Sequence, residues 1–333
     1  MRILVTGAAG FIGSALSASL AIGKHEVLGI DNFSDYYSID LKQKRVENFL
    51  QANNIELLKL DLINKEQVNK IVREFKPDSV IHLAAQAGVR LTLEEYSKYV
   101  DSNLISFTNV ATATAQYRVS NFLYASSSSV YGDSAKVPYS ESEESLHPQS
   151  FYGVTKRFNE MSIAPIFKHS QTRTRGLRFF TVYGPWGRPD MAYFRMISNI
   201  VASTPFELFG NGEIARDFTY IDDVVSVVSN LISELSSREA GFSDVVNVGG
   251  GRPLSMNYLS EVISSSAGKK VVLDKLPRKP EDVAKTMADS TYLMSLIGLK
   301  PETKLEDGIS NVIEWAKNVV DPITLDTWAK SST

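Results

Sequence analysis

The sequence contains no cysteine. Disulfides, thiolate metal sites and cysteine nucleophiles are thereby excluded, and the composition fits a reducing compartment. Histidine is scarce: His25, His82, His147 and His169 lie far apart, with no ligand spacing and no adjacent acidic pair, so no metal is expected. A surplus of one charge is also lacking. Lys plus Arg number 35 against 38 Asp plus Glu, a formal net charge of −3, and the basic residues form no stripe. Nucleic acid is therefore not an expected partner. No run of about 18 apolar residues occurs, the chain opens MRILVTG without a signal-peptide core, and TLDTWAKSST carries no lipidation motif. The expectation is a soluble, cytoplasmic protein with no membrane partner.

What is present is size and rhythm. A chain of 333 residues, 43% hydrophobic, exceeds what one compact core usually holds, so one large domain or two fused ones are expected. Short β-branched runs at Ile3 to Thr6, Val27 to Asp31, Ile55 to Asp61, Ser79 to Ala84, Phe122 to Ser126 and Leu177 to Phe180 alternate with amphipathic stretches. That alternation predicts an α/β fold with a parallel sheet covered on both faces. Between the second and third strands, Asn32 to Asn54 reads as an insertion with a short surface helix. Beyond Gly184, frequent Pro and Gly predict a smaller, more irregular lobe. The expected division is residues 1–180, a cofactor-binding domain, and residues 181–333, mainly a substrate lobe. YIDDVVSVVSNLISEL reads as a helix and DVVNVGG as a strand, so part of 217–250 is expected to rejoin the first domain.

The first strand runs into TGAAGFIG, which spaces Gly7, Gly10 and Gly13 three residues apart where strand gives way to helix. The first glycine permits a tight turn, the second a close approach of backbone N–H groups to a pyrophosphate, and the third close packing of helix on strand. Asp31 ends the second strand, where a carboxylate accepts the ribose hydroxyls of an adenosine and repels a 2′-phosphate. NAD is the cofactor expected. Asp61 closes the third strand and Ala84 and Ala85 follow the fourth, all at the sheet edge where ligands collect.

Tyr152-Gly-Val-Thr-Lys156 places a phenol and an ammonium on one helix face. A phenol of pKa ~10 is a poor base at neutral pH, and a nearby ammonium lowers that value. Upstream, Ser126 to Ser129 ends the fifth strand, where a hydroxyl can share the substrate proton.

TGAAGFIG, Asp31, HLAAQAG, the serine run before VYG, and YGVTK together resemble the extended short-chain dehydrogenase/reductase family over nearly the whole chain. The resemblance implies a Rossmann-type doubly wound sheet. DNFSDYYSIDLKQKR, HLAAQAGVR, YASSSSVYG, RFFTVYGPWGRPDMA and RDFTYIDD resemble the NAD-dependent nucleotide-sugar epimerases acting on UDP-glucuronate. By that resemblance Tyr152 is the catalytic base, Lys156 holds the cofactor ribose and tunes the phenol, and Ser127 assists. Phe11, Ile12, Asn32, Leu62, Asn103 and Phe179 join the glycines, Asp31, Asp61, Ala84 and Ala85 as implied cofactor contacts. Arg216 is implied to hold the substrate diphosphate, with Arg90 and Arg188 as further contacts, and Asp282 to bind the nucleoside. Lys279 and Glu281 depart from the family pattern in that last loop.

Relatives that dehydrate or decarboxylate the oxidised sugar carry a carboxyl group in the segment occupied here by Ser127, Ser128 and Ser129. Without one, proton removal at C5 has no obvious agent and the 4-keto sugar is expected to be reduced again on the opposite face. A 4-keto glucuronate is a β-keto acid prone to lose carbon dioxide, so neutral donors that hold its carboxylate suit the reaction. Ser128, Ser129 and Thr181 are the candidates. Epimerisation of UDP-glucuronate to UDP-galacturonate is the expectation, in a homodimer. The alternatives are a UDP-hexose or UDP-N-acetylhexosamine 4-epimerase, a net NAD-dependent dehydrogenase or reductase, and a non-catalytic NAD sensor.

Overall fold

The computed structural model describes residues 1–331 apart from Arg90, Ser134, Ser145 and residues 278–282. Seven strands form one parallel sheet: β1 (Arg2–Thr6), β2 (Glu26–Asp31), β3 (Glu56–Lys59), β4 (Ser79–His82), β5 (Asn121–Ser127), β6 (Arg173–Phe179) and, much later in the chain, a strand at Ser243–Val248. From one edge to the other the order is Ser243–Val248, β6, β5, β4, β1, β2, β3. The direction of winding reverses between β1 and β4, which opens a crevice at the carboxyl ends of the strands. The late strand pairs with β6 from Ser243 opposite Thr174 to Val248 opposite Phe179, so the chain does return to the sheet.

Both faces of the sheet are covered. The helices Phe11–Ile22 and Ile221–Ser236 bury Leu16, Leu20, Val224, Val228 and Leu231 against one face. Lys65–Phe75, Ser106–Gln116 and Phe151–Phe167 bury Val68, Val72, Phe107, Val110, Ile163 and Phe167 against the other. Each such side chain contributes roughly 1.5–3 kcal/mol by leaving water. The doubly covered sheet explains why β4, SVIH, is buried at all four positions.

Two smaller sheets follow. β7 (Thr181–Tyr183) and β9 (Ala215–Tyr220) run parallel, with β11 (Pro253–Ser255) antiparallel at the edge. β8 (Phe206–Phe209) pairs with β12 (Leu273–Leu276), the strand at Ser243–Val248 being β10 in chain order. No helix among the described residues is long and apolar enough to cross a membrane.

Two sequence expectations change. β6 begins at Arg173, earlier than Leu177, because the buried charge of its polar first half is matched: Arg175 bonds Asp244 and Glu234; within the apolar run Arg178 likewise bonds Glu160. Paired charges satisfy each other where an isolated one could not be buried. The insertion is also no surface appendage. Its helix Ile39–Arg45 buries Leu41, Lys42 and Arg45, and Trp328 of the helix Pro322–Lys330 donates to Asp40 at 2.8 Å.

Candidate active site

The first βα turn is shaped by contacts that leave no room for side chains. Gly7 has φ +72°, and a Cβ there would lie 2.7 Å from the Ala84 nitrogen; one on Gly13 would lie 2.1 Å from the Gly7 carbonyl oxygen. The helix Phe11–Ile22 therefore starts hard against β1, and its N-terminal N–H groups face the crevice. Asp31, at the end of β2, accepts from Ala9 N at 3.0 Å and Phe33 N at 2.8 Å. A carboxylate has about four lone-pair directions, so acceptor capacity remains for a ribose. Asn32 donates to Asp61 at 3.1 Å, which joins the ends of β2 and β3. A loop that a Cβ would fill, backed by a helix N-terminus and an acid on the second strand, fits a dinucleotide.

The second part of the site is the helix Phe151–Phe167. Ser150 caps it by accepting from Gly153 N at 3.1 Å, and Tyr152 sits in the first turn. A Cβ on Gly153 would stand 2.6 Å from the Ser129 carbonyl oxygen, so the helix start lies directly on the serine turn after β5. Ser127 hydrogen-bonds the Tyr152 hydroxyl and accepts from Ser129 N at 3.1 Å. Lys156 is buried, donates to the Ala125 carbonyl at 3.0 Å, and lies 5.7 Å from the centre of the Tyr152 ring.

Burial dominates the electrostatics of both Tyr152 and Lys156. Burial raises the Tyr152 pKa, and the groups that draw it back down are the Arg188 charge and the Ser127 hydrogen bond. Burial also lowers Lys156, to about 8. Desolvation weakens the lysine's charge, and its ammonium is directed to a β5 carbonyl. The Arg188 charge favours the phenolate, and Arg188 is itself paired with Asp190, whose Oδ1 accepts from its Nε at 3.0 Å. Arg188 thus stands at the sugar end with Tyr152.

One cleft of about 960 Å³ joins these parts. It is lined by Gly7, Gly10, Phe11, Ile12, Gly13, Asp31, Asn32, Asp61, Leu62, Ala84, Ala85 and Phe179 on the dinucleotide side. Ser127, Ser128, Ser129, Tyr152, Lys156, Thr181, Arg188 and Arg216 line it too. Arg216 donates to the Val283 carbonyl at 2.7 Å, linking β9 to the segment that follows residues 278–282. Arg90 and Asp282, with Lys279 and Glu281, lie outside the described residues. Asn103 is brought close but does not line the cleft. It is 1% exposed; its side chain accepts from Gln86 N at 2.8 Å and donates to the Gln86 carbonyl and to Thr155. It ties the loop after β4 to the Tyr152 helix.

Tyr36, Tyr37, Lys42 and Asp190 also line the cleft and were not foreseen. Tyr36 OH stands 3.4 Å from Asp190 and would be 2.3 Å from a Cβ on Gly88, so the insertion closes over the loop after β4. The paired tyrosines in a polar insertion are the signal the sequence offers; Asp190, the partner of Tyr36, lies 154 residues away.

Residues 3–249 match the NAD dependent epimerase/dehydratase family, and the chain belongs to that family. It is 38% identical over 329 residues to Protein CapI of Staphylococcus aureus, covering 95% of this chain and 98% of that one. It is 35% identical over 333 residues to a probable UDP-glucuronate 4-epimerase of Rhizobium meliloti, covering 95% and 96%. Among solved structures, the UDP-glucuronic acid 4-epimerase of Bacillus cereus in complex with UDP-glucuronic acid and NAD superposes with a TM-score of 0.88 at 31% identity, covering 96% of this chain and all of that one.

Proposed function

We propose that this chain catalyses the NAD-dependent 4-epimerisation of a UDP-sugar, UDP-glucuronate to UDP-galacturonate. One observation carries the reading: a single cleft unites the dinucleotide loop, the Tyr152–Ser127 pair and a serine turn without a carboxyl group. NAD, when bound, takes up the hydride of C4 and gives it back. The glycine loop and Asp31 hold its adenosine and pyrophosphate, and Lys156 its nicotinamide ribose. Tyr152 removes the 4-hydroxyl proton, Ser127 shares that proton, and the Arg188 charge favours the phenolate. On the return step Tyr152 gives the proton back. Because the hydride leaves C4 from one face and inversion needs it returned to the other, the keto sugar must present its opposite face to the same nicotinamide in between. Ser128, Ser129 and Thr181 donate to the uronate carboxylate, which keeps the C5–C6 bond out of the alignment with the keto group that releases carbon dioxide. Arg216 and Arg90 bind the diphosphate and Asp282 the nucleoside.

The proposal also includes residues 1–180, with part of 217–250, as the cofactor domain and 181–333 as mainly the sugar lobe. It further includes a homodimer and a cytoplasmic location. The exposed Val154, Phe158 and Met161 on the Tyr152 helix support the homodimer, and light scattering on the purified protein tests it.

The deciding experiment incubates the purified protein, without added reductant, with UDP-glucuronate and separately with UDP-N-acetylglucosamine, and identifies products by NMR. UDP-galacturonate without net NADH is expected. Epimerisation of the acetamido sugar alone, or stoichiometric NADH, refutes the reading.

A further inference from the structure

The insertion carries a cation that no part of the reaction uses. Arg45 has no exposed surface, and no carboxylate pairs with it among the described residues. Its Nε donates to the Trp186 carbonyl at 2.8 Å, Nη2 to the Gly187 carbonyl at 2.9 Å and Nη1 to the Tyr37 hydroxyl at 2.7 Å. Nη1 also reaches the Ala9 carbonyl at 3.5 Å, and the guanidinium lies 6.0 Å from the centre of the Phe11 ring. Ala9 and Phe11 belong to the dinucleotide loop; Trp186 and Gly187 immediately precede Arg188.

A guanidinium offers five donors in one rigid plane, so it sets direction as well as distance. Burying it costs several kcal/mol unless its donors are matched, and here three carbonyls and the Tyr37 hydroxyl accept from it. The turn it grips needs holding. Trp186 has φ +62°, and a Cβ on Gly187 would lie 1.5 Å from the Tyr193 hydroxyl.

We propose that Arg45, with Tyr37, is a positioning residue that fixes the Arg188–Asp190 turn relative to the dinucleotide loop. Arg45 does not line the cleft; it acts through Arg188, which bears on Tyr152. The prediction for products rests on the UDP-glucuronate reading. If the turn loosens, the 4-keto uronate is held less firmly and a side reaction gains. The C5–C6 bond breaks, carbon dioxide leaves, the electron pair passes into the enolate of the C4 carbonyl, and C5 takes up a proton. The resulting 4-keto pentose then takes back at C4 the hydride it had given up, so no oxidant is consumed overall.

Holoenzymes of the wild type, Arg45→Lys and Tyr37→Phe are given UDP-glucuronate, and NMR measures the ratio of decarboxylated sugar to epimer. This ratio does not depend on how much of the protein is folded. Arg45→Lys keeps the charge but cannot span two carbonyls, and it is expected to raise the ratio roughly tenfold. Tyr37→Phe removes one acceptor and moves the ratio the same way by less. In NAD-free protein, amide exchange in residues 184–190 accelerates in both variants while β4 is unchanged. An unchanged ratio in both variants overturns the proposal whatever the total activity, as does an acceleration spread evenly over the chain. If the wild type forms no epimer, the functional reading fails, and the exchange measurement alone decides the role of Arg45.

Discussion

The two ends of the cleft are built by different means. The dinucleotide end is made of residues close in sequence at the tips of adjacent strands: Gly7, Gly13, Asp31 and Asp61. Its geometry follows from backbone sterics, as the 2.1 Å approach of a Cβ on Gly13 to the Gly7 carbonyl shows. The sugar end gathers the insertion, the serine turn, the Gly184–Asp190 turn and β9, which are separated by up to about 180 residues along the chain. It is held by side chains reaching across the fold, Arg45 to Trp186 and Tyr36 to Asp190. A local end tolerates change elsewhere; an assembled end is sensitive to distant positions.

Tyr152 stands where the ends meet, and its loss is expected to have the largest effect. Tyr152→Phe lowers turnover about 10³-fold while NAD stays bound, measured by epimer formation and by the cofactor released on denaturation. Full activity would dissolve the junction. At the dinucleotide end, Gly13→Ala costs the cofactor: protein purifies without NAD and turnover falls on the order of 100-fold, and added NAD restores only part of it. Retained NAD would mean the helix start can shift, and that end is no more rigid than the other. At the sugar end, Thr181→Val removes a hydroxyl without changing size. It is expected to weaken UDP-glucuronate binding roughly tenfold through the lost bond to a charged group, with bound NAD unchanged. An equal loss for both ligands would erase the division.

The smallest effect concerns stability. Lys156 is lowered by burial to about 8 from 10.5, so between those values the unfolded chain binds more protons than the folded one. Stability of the NAD-free protein therefore rises with pH through that window, by about 1–2 kcal/mol between pH 8 and 9.5. The buried tyrosines, all raised, do not oppose this below about pH 10, where both states keep their protons. Urea unfolding checks it, and Lys156→Met is expected to flatten the rise. A slope that survives the substitution would place the buried proton elsewhere.

Legibility followed the same division. The glycine loop, Asp31, the serine run and the Tyr152–Lys156 spacing could be read because each function needs residue types a few positions apart, on one strand end or one helix face. The apolar run of β6 starts only at Leu177 because Arg173 and Arg175 look like exposed charges, and the partners of Arg175, Glu234 and Asp244, lie on other elements. The insertion was read as surface because polar composition does not disclose that Arg45 finds carbonyls 141 and 142 residues away. The bonds of Asn103 to Gln86 and Thr155 are likewise not legible in the sequence, since those partners lie 17 and 52 residues away.

From the sequence alone came the parallel sheet, the dinucleotide loop and the phenol with its serine, since apolar periodicity, glycine sterics and helical spacing act over a few residues. Only the folded chain decided that the Arg188 charge bears on Tyr152, what holds Arg188, and that the insertion forms one wall of the cleft. Those outcomes depend on desolvation and on charges and carbonyls brought together from distant segments, and neither exists until the chain has closed around them.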